Sequence, residues 1–304
     1  MPFDTKSIPD RLKDAAATGH LIPLIGAGIS KHATTADKKA FPCWRELLGE
    51  LRRDAVKHGN ITSDEGKQIS ELVKRGRYLM AAQALRDEMP ADRLEQLLVD
   101  RFMPHDARPG DIHEWLFKLN SAMILTTNYD MLLEDAYAAH YSKAACAFTF
   151  RDAPQVQRAL QSYKCGRDRP IIFKLHGCVG SVSDAILSEI DYRTLLYREP
   201  GYKLVLSAIF ITNVVVMLGF SFSDPELVLL METLRESLKY RSSPDYILTP
   251  VGEKNTVEKK RLREDFGLEV LEYKPSANHV EVLDFVKYLA KFAAVSPACP
   301  MGGK

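Results

Sequence analysis

The chain lacks an excess of charge of either sign, because 41 lysines and arginines face 40 aspartates and glutamates, for a net charge of +1. It therefore has no overall field that would hold nucleic acid or an anionic membrane by charge alone. It also lacks any run of about 18 apolar residues, which a membrane-spanning helix needs. The first residues show neither the basic start nor the apolar core of a secretion signal, so we expect a cytoplasmic protein with no membrane partner.

Cysteine pairs are missing as well. The five cysteines are an odd number, lie far apart and include no C-x-x-C pair. This distribution predicts neither a disulfide framework nor a structural zinc site, and we expect no bound metal. What remains is an ordinary globular composition of 304 residues, 46% hydrophobic and 27% charged, which is enough for one large α/β domain or two smaller ones.

Short apolar runs alternate with helical patterns along the chain. Such runs, bounded by glycine or polar residues, are typical of buried parallel strands, and they predict strands at residues 21–25, 122–126, 171–175, 214–218, 246–249 and 268–273. Between residues 42 and 120 the apolar residues instead recur every three or four positions, which predicts a helical insertion after the first strand. We therefore predict an α/β fold with a Rossmann-like parallel sheet, as a single domain over residues 1–304 with a flexible tail at 294–304.

Four glycine-rich or polar clusters follow four of the predicted strands. Ligands of open parallel sheets bind beyond the carboxyl ends of the strands, so these clusters form the candidate site. The clusters are Gly26-Ala27-Gly28-Ile29-Ser30, Thr126-Thr127-Asn128-Tyr129-Asp130, Lys174-Leu175-His176-Gly177 and Gly219-Phe220-Ser221-Phe222-Ser223-Asp224-Pro225. Each also has a purely structural interpretation: a tight turn for the first, helix caps for the second and fourth, and a structural histidine for the third.

The residue types in the clusters suit a nucleotide with sugar hydroxyls. The glycines of the first cluster permit close backbone approach to a pyrophosphate, and Ser30 adds a hydroxyl contact or a helix cap. This cluster is not the dehydrogenase fingerprint, because Lys31 stands where a third glycine belongs. The second cluster combines hydroxyl, amide and carboxylate groups, which suits a sugar. His176 ends a buried strand, where an imidazole can act as a general base.

Taken together and in this order, the clusters resemble those of the sirtuins, a family of NAD-dependent deacylases and ADP-ribosyl-transfer enzymes. The resemblance is greatest to a divergent bacterial branch with the order G-A-G-x-S, a tryptophan-led helix, T-T-N-Y-D, K-L-H-G and G-F-S-x-x-D-P; here Phe41-Pro42-Cys43-Trp44 opens that helix. Members of that branch act in antiphage defence by emptying the NAD+ pool of the infected cell. The resemblance thus implies a sirtuin-like NAD+ glycohydrolase with NAD+ as substrate, and a role in abortive infection.

The resemblance also implies roles for individual residues. It places NAD+-binding residues in the first, second and fourth clusters: Gly26, Ala27, Gly28, Ser30, Thr127, Asp130, Gly219, Ser221 and Asp224. The first cluster would cradle the diphosphate, with Gly219 and Ser221 near the adenosine half. Asn128 would hold the nicotinamide ribose or the attacking water, and Asp130 would orient that loop. His176 would be the base acting on a ribose hydroxyl.

The chain departs from the deacylases in two places. After Ser30 it has Lys31-His32-Ala33-Thr34-Thr35 in place of the G-I-P-D-F-R stretch that closes over nicotinamide, and it lacks the two cysteine pairs of the zinc module beside the acyl-lysine channel. Lys31 and His32 are candidates for the missing cover by position alone. Water is then the expected nucleophile. Two alternatives stay open, namely a sensor or scaffold that binds NAD+ or ADP-ribose without cleaving it, and protein deacylation or ADP-ribosylation.

An enzyme that destroys NAD+ needs restraint in a living cell. About a dozen residues follow the last predicted helix, so we expect a separately encoded sensor or control through homo-oligomerisation. The resemblance implies partners such as a HerA-type ATPase, a short Argonaute or a nucleotide pyrophosphatase-like protein. No direct nucleic-acid binding is expected, because the one dense basic run, residues 259–263, is flanked by acidic residues as on a solvated helix face.

Overall fold

Seven strands form one parallel sheet in the part of the chain that the computed structural model describes, which is residues 5–36, 41–161, 170–222, 224–237, 244–276 and 278–293. The strands are β1 (Leu21–Ile25), β2 (Met123–Thr126), β3 (Cys146–Thr149), β4 (Ile171–Lys174), β5 (Val214–Leu218), β6 (Asp245–Pro250) and β7 (Leu268–Tyr273). Their order across the sheet is β3-β4-β2-β1-β5-β6-β7, and every neighbouring pair is parallel. The predicted tail at 294–304, and Ser223 of the fourth cluster, lie outside the described residues.

The predicted α/β fold with a parallel sheet is confirmed. All six predicted strands are present, each within one residue of its predicted limits. The edge strand β3 is the addition that the apolar runs did not indicate. Its side chains are only partly buried or exposed, so it has no continuous apolar run that would mark it as a strand.

The helices lie on both faces of the sheet and in a separate lobe. They are α1 (Asp10–Thr18), α2 (Ala27–Ser30), α3 (Trp44–Lys57), α4 (Ser63–Lys74), α5 (Tyr78–Glu88), α6 (Ala91–Phe102), α7 (Asp111–Phe117), α8 (Leu132–Tyr141), α9 (Ala153–Gln161), α10 (Glu189–Arg198), α11 (Pro200–Thr212), α12 (Pro225–Ser237), α13 (Thr256–Phe266) and α14 (Val280–Ala293). Successive strand residues point to opposite faces, so Leu21 and Ile25 pack with α1, α7, α8 and α14, while Ile22 and Leu24 pack with α9 to α13. The result is a three-layer arrangement of helix, sheet and helix.

The lobe consists of α3 to α6 around a core of its own. Helix α3 packs against α4 and α5, and Trp44 stacks on Tyr78 with ring centroids 6.3 Å apart. The lobe also packs on the loop that follows β2 and on α10: the ring of Phe102 meets the ring of Tyr129, and Arg86 forms an ion pair with Asp191. The helical insertion therefore lies over the edge of the sheet that carries the candidate site.

Candidate active site

The strand order reverses between β1 and β5. From β1 the chain continues to β2, then to β3 at the edge of the sheet and back to β4 between these two, and after β4 it crosses to the other side of β1 to form β5, β6 and β7. The loops after two such neighbouring strands lead to opposite halves of the sheet. They therefore leave a crevice between them at the carboxyl ends of the strands, where ligands of such sheets bind. Ile25 pairs with both Leu218 and Thr126, and Thr126 pairs with Lys174, so the four predicted clusters begin side by side at this edge.

The first and fourth clusters touch each other backbone to backbone at the reversal. The Gly28 N–H donates to the Gly219 carbonyl over 3.0 Å, and the Gly26 N–H donates to the Leu218 carbonyl over 3.0 Å. A Cβ on Gly28 would lie 2.7 Å from the Gly219 Cα, and Gly219 itself has a φ of +59°. Both loops therefore need glycine, for the close approach in one case and for the left-handed backbone in the other.

The second cluster meets the first through a chain of buried hydrogen bonds. The Asn128 amide donates to the Gly26 carbonyl over 3.0 Å and to the Ser30 hydroxyl over 2.8 Å, and that hydroxyl donates to Asp130 Oδ2 over 2.6 Å. Asp130 Oδ1 accepts from the Leu132 N–H over 3.1 Å, so this carboxylate also supports the start of α8. Ser30 ends α2 and Gly26 stands at its N-cap, so Ser30 is no helix cap here.

A buried cation lies beneath this cluster. Lys174 is 1% exposed, and its ammonium donates to the Asp130 carbonyl, to Glu134 Oε1 over 2.8 Å and toward Cys178 Sγ over 3.5 Å. Burial alone would lower the pKa of Lys174, but the Glu134 carboxylate, with Cys178 and Asp130, outweighs it and raises the pKa. Lys174 stands in the third cluster, but we predicted no role for it. The signal that could have found it is a lysine inside an otherwise apolar strand.

His176 is buried beside two oxygens from other elements. Its ring is 1% exposed, and its Nε2 lies 3.2 Å from Asp224 Oδ2 and 3.5 Å from the Tyr192 hydroxyl. Tyr192 donates to Asp224 Oδ2 over 2.6 Å, and Asp224 Oδ1 accepts from the Leu227 N–H over 3.1 Å, which caps α12. Burial lowers the pKa of His176, and the Asp224 carboxylate offsets part of that shift. Tyr192 lies on α10 and had no signal in the sequence.

His113 is a second buried histidine that sequence reasoning missed. The Gly110 N–H donates to its Nδ1 over 3.1 Å, while the Gly110 carbonyl already accepts from the His113 N–H. Its Nδ1 also lies 3.1 Å from that carbonyl, so either ring nitrogen can carry the proton of the neutral ring, and in the described part of the chain Nε2 has no hydrogen-bond partner. Burial lowers the pKa of His113, against the influence of Asp130.

A narrow crevice lies between His113 and the second cluster. It is lined by Ile25, Ser30, His113, Thr126, Asn128, Asp130, Leu133, Glu134 and Lys174.

These two histidines predict that mild acid destabilises the fold. Both have a pKa below the value of about 6.5 that they regain on unfolding, so the unfolded chain binds more protons as the pH falls through that value. We expect the melting temperature to fall between about pH 7 and about pH 5.5, above the range in which carboxylates titrate. The His176→Asn variant should show a shallower fall, measured by circular dichroism. A melting temperature that stays constant over this interval would contradict the assignment.

Other predicted residues lie at the rim of the site. Thr127 is partly buried and its N–H donates to the Ile25 carbonyl over 3.3 Å, whereas Ser221 is exposed and its carbonyl accepts from the Lys254 ammonium over 3.3 Å. After Ser30, Thr34 forms an antiparallel bridge with Arg108, and Lys31 pairs with Glu46 of α3. The segment that replaces the sirtuin cover is thus attached to the lobe and to the chain before α7.

Within the described ranges, no three histidine, cysteine, aspartate or glutamate side chains are grouped so as to hold a metal ion. The described cysteines, Cys43, Cys146 and Cys178, are free thiols. Among the helices of the described residues, none is both long and apolar enough to cross a membrane.

Comparison with known proteins finds similarity to SIR2-like proteins. Residues 122–271 match the model of the SIR2-like domain. The chain is 25% identical to the NAD(+) hydrolase ThsA of Enterococcus faecium, over 94% of this chain and 54% of that protein, and 27% identical to the NAD(+) hydrolase ThsA of Bacillus cereus (strain MSX-D12), over 81% of this chain and 45% of that protein. It is 22% identical to the defense-associated sirtuin 2 of Bacillus subtilis, over 93% of this chain and 26% of that protein.

These matches confirm the resemblance to sirtuin-like proteins of the NAD+-hydrolysing, defence-associated branch. The chain spans about half the length of the two hydrolases that it matches. The SIR2-like match begins just before β2 and covers the second, third and fourth clusters.

Proposed function

We propose that this chain, with its SIR2-like region at residues 122–271, is an NAD+ glycohydrolase that converts NAD+ to nicotinamide and ADP-ribose. The observation that carries the proposal is that two groups of hydrogen-bonded side chains lie at the strand-order reversal. One joins Ser30, Asn128 and Asp130, and the other joins His176 and Asp224. The similarity to proteins named NAD(+) hydrolase supports NAD+ as the substrate that this edge of the sheet binds.

The loops at the reversal suit the two halves of a dinucleotide. We assign the diphosphate to the backbone of the first cluster, in which Gly26 and Gly28 also permit the contact with Gly219, and Ala27 and Ser30 are the first and last residues of α2. We assign the exposed Ser221, two positions after Gly219, to the adenosine half on the β5 side of the crevice. Thr127 and Asp224 belong to the loops that follow β2 and β5, the two strands that flank β1. Both amide protons of Asn128 are already used, so its Oδ1 is the atom that faces a ribose hydroxyl or a water.

The reaction needs little more than stabilisation of charge and one base. The bond between the ribose C1′ and the nicotinamide nitrogen breaks, its electron pair leaves with nicotinamide, and the sugar passes through an oxocarbenium-like state. Water then forms the new bond at C1′ and loses one proton, so that NAD+ and water yield nicotinamide, ADP-ribose and H+. His176 is the base that acts on a ribose hydroxyl, and Asn128 holds the ribose or the attacking water.

We further propose a role in bacterial antiphage defence, in which the enzyme depletes NAD+ once it is triggered. The relatives named as defence-associated sirtuin and ThsA support this role. In this structure the His176 ring is almost fully buried, so NAD+ reaches it only when the surrounding loops open. Binding of a partner protein or assembly of several copies is the event that we propose for this opening.

Incubation of the purified chain with NAD+, alone and together with the neighbouring gene product and infected-cell extract as sources of the proposed trigger, tests the function directly. We expect nicotinamide and ADP-ribose in equal amounts by chromatography, and in H2¹⁸O one heavy oxygen at C1′ of ADP-ribose, because water is the nucleophile. The His105→Ala variant, which changes an exposed histidine outside the site, serves as the control and should match the wild type.

Two other outcomes would contradict this proposal and support one of the alternative functions. Calorimetric binding of NAD+ without product, even with the neighbouring gene product and infected-cell extract added, would indicate a sensor or scaffold. Acyl transfer from an acyl-lysine peptide, or ADP-ribose attached to protein, would indicate the transferase chemistry of the wider family.

A further inference from the structure

Three elements of the chain meet at the ring of His176. The histidine follows β4, Asp224 precedes α12 and Tyr192 lies in the first turn of α10, and all three side chains are buried. Nothing in the local sequence brings them together, since Tyr192 follows His176 by 16 positions and Asp224 follows Tyr192 by 32 positions. A buried carboxylate that faces an imidazole across 3.2 Å is an electrostatic arrangement, which packing alone does not require.

The Asp224 carboxylate is held from two sides. Its Oδ1 accepts from the Leu227 N–H over 3.1 Å, and its Oδ2 accepts from the Tyr192 hydroxyl over 2.6 Å. The same Oδ2 faces His176 Nε2. Because the tyrosine proton is directed to Asp224, the tyrosine oxygen presents a lone pair to Nε2 as well. Both of these oxygens are therefore acceptors, and the neutral ring carries its proton on Nε2.

We propose that Asp224, fixed in place by Tyr192, is a positioning residue for His176: it selects the ring tautomer, sets the ring plane and stabilises the imidazolium that forms when the base takes a proton. The catalytic part of this inference rests on the proposed function. From the sequence, Asp224 was predicted to bind the nucleotide, with a helix cap as the structural alternative, and Tyr192 was not predicted at all.

Because the His176 ring is buried, a neighbouring carboxylate has a large effect on its protonation. A protonated imidazole is costly in a poorly hydrated interior, and burial accordingly lowers the pKa of His176. A carboxylate at hydrogen-bond distance offsets that cost more strongly there than in water. Asp224 and Tyr192 are the titratable groups that face the ring from α12 and α10. Nearby, the Tyr129 hydroxyl donates to the Ile186 carbonyl, and Lys174 donates to Glu134.

The Asp224→Asn substitution separates this role from that of a helix cap. Asparagine also caps helices well, so its side-chain oxygen can keep the bond from the Leu227 N–H. It removes the negative charge. The amide then presents to His176 Nε2 either an oxygen that accepts more weakly than a carboxylate or an N–H, which cannot accept the Nε2 proton. The Tyr192→Phe substitution removes only the hydroxyl and keeps the ring, whose centroid lies 5.3 Å from that of His176. The Tyr197→Phe substitution, at an exposed position of the same helix, is the matched control.

Two measurements test the proposal. In protein labelled with ¹⁵N-histidine, the wild-type His176 ring at neutral pH should give the shifts of the Nε2-protonated tautomer, and Asp224→Asn should convert it to a mixture or to the other tautomer. In the pH dependence of NAD+ hydrolysis, Asp224→Asn should lower the plateau rate at least about tenfold and move the acidic limb to lower pH. Tyr192→Phe should lower the rate less, and Tyr197→Phe should match the wild type in both measurements.

The outcomes keep this inference distinct from the proposed function. An unchanged tautomer in Asp224→Asn, or a rate that falls equally at every pH without movement of the acidic limb, would leave Asp224 a structural cap and overturn the inference. A rate that rises would show that the contact blocks the base, which also overturns it. If the wild type hydrolyses no NAD+ even with the neighbouring gene product and infected-cell extract, the proposed function fails, while the ring spectra still decide whether Asp224 sets the state of His176.

Discussion

The His176→Ala variant is expected to release nicotinamide from NAD+ about 10²- to 10⁴-fold more slowly than the wild type, which is the usual contribution of a positioned general base. The reason is geometric as well as chemical. His176 is the histidine at the carboxyl edge of β4, and its neighbours Asp224 and Tyr192 hold its ring next to the crevice at the strand-order reversal. Loss of the imidazole removes the proton acceptor and one of the groups that face the buried Asp224 carboxylate.

Loss of activity must be separated from loss of fold. The His176→Asn variant serves this purpose, because the asparagine amide can still donate toward Asp224 but cannot accept a proton at neutral pH. We expect it to lose activity almost as fully as His176→Ala while it melts closer to the wild type. The His105→Ala variant should retain full activity. Turnover in His176→Asn within tenfold of the wild type would remove His176 from the role of base.

The Gly28→Ala variant is expected to be destabilised by about 1–3 kcal/mol and to lose measurable NAD+ binding. The added Cβ would lie 2.7 Å from the Gly219 Cα and 3.0 Å from its carbonyl oxygen, and both are backbone atoms. Relief requires the first and fourth clusters to separate, which breaks the bond from the Gly28 N–H to the Gly219 carbonyl. The loop that we propose for the diphosphate would then be displaced as a whole.

Urea unfolding and NAD+ calorimetry measure the two effects. The matched control is Gly49→Ala on α3, where the nearest atom to the new Cβ is the end of the flexible Arg53 side chain at 3.5 Å. Alanine is the better helix former, so this variant should be as stable as the wild type or up to about 1 kcal/mol more stable. Equal stability and equal NAD+ affinity in Gly28→Ala and the wild type would show that the contact between Gly28 and Gly219 tolerates a side chain.

The central strands could be predicted from the sequence because they carry the clearest physical signal. Strands β1 and β5 are buried on both faces, and a short, continuous apolar run that ends at a glycine is typical of such a strand. Strand β3 escaped prediction because it lies at the sheet edge with one neighbour and partly exposed side chains. Its pairing with β4 comes from tertiary contact and not from a local pattern.

The site was predictable to the extent that it follows from the sheet. Parallel strands bring their carboxyl ends to one edge, and this rule suffices to place Ser30 near Asp130 although 100 positions separate them. The rule says nothing of helices that fold back over the edge. Tyr192 on α10 and His113 on α7 reach the site in that way, and no spacing in the sequence connects either one with the strand ends.

The backbone contact between Gly28 and Gly219 at the strand-order reversal has a consequence for genetics. A damaged core position is often rescued when a neighbouring side chain becomes smaller, but the obstacle to a side chain at Gly28 is the main chain of Gly219, which no codon change can shrink. Second-site suppressors of a substitution at Gly28 would therefore have to move the backbone of the first or the fourth cluster, directly after β1 or β5.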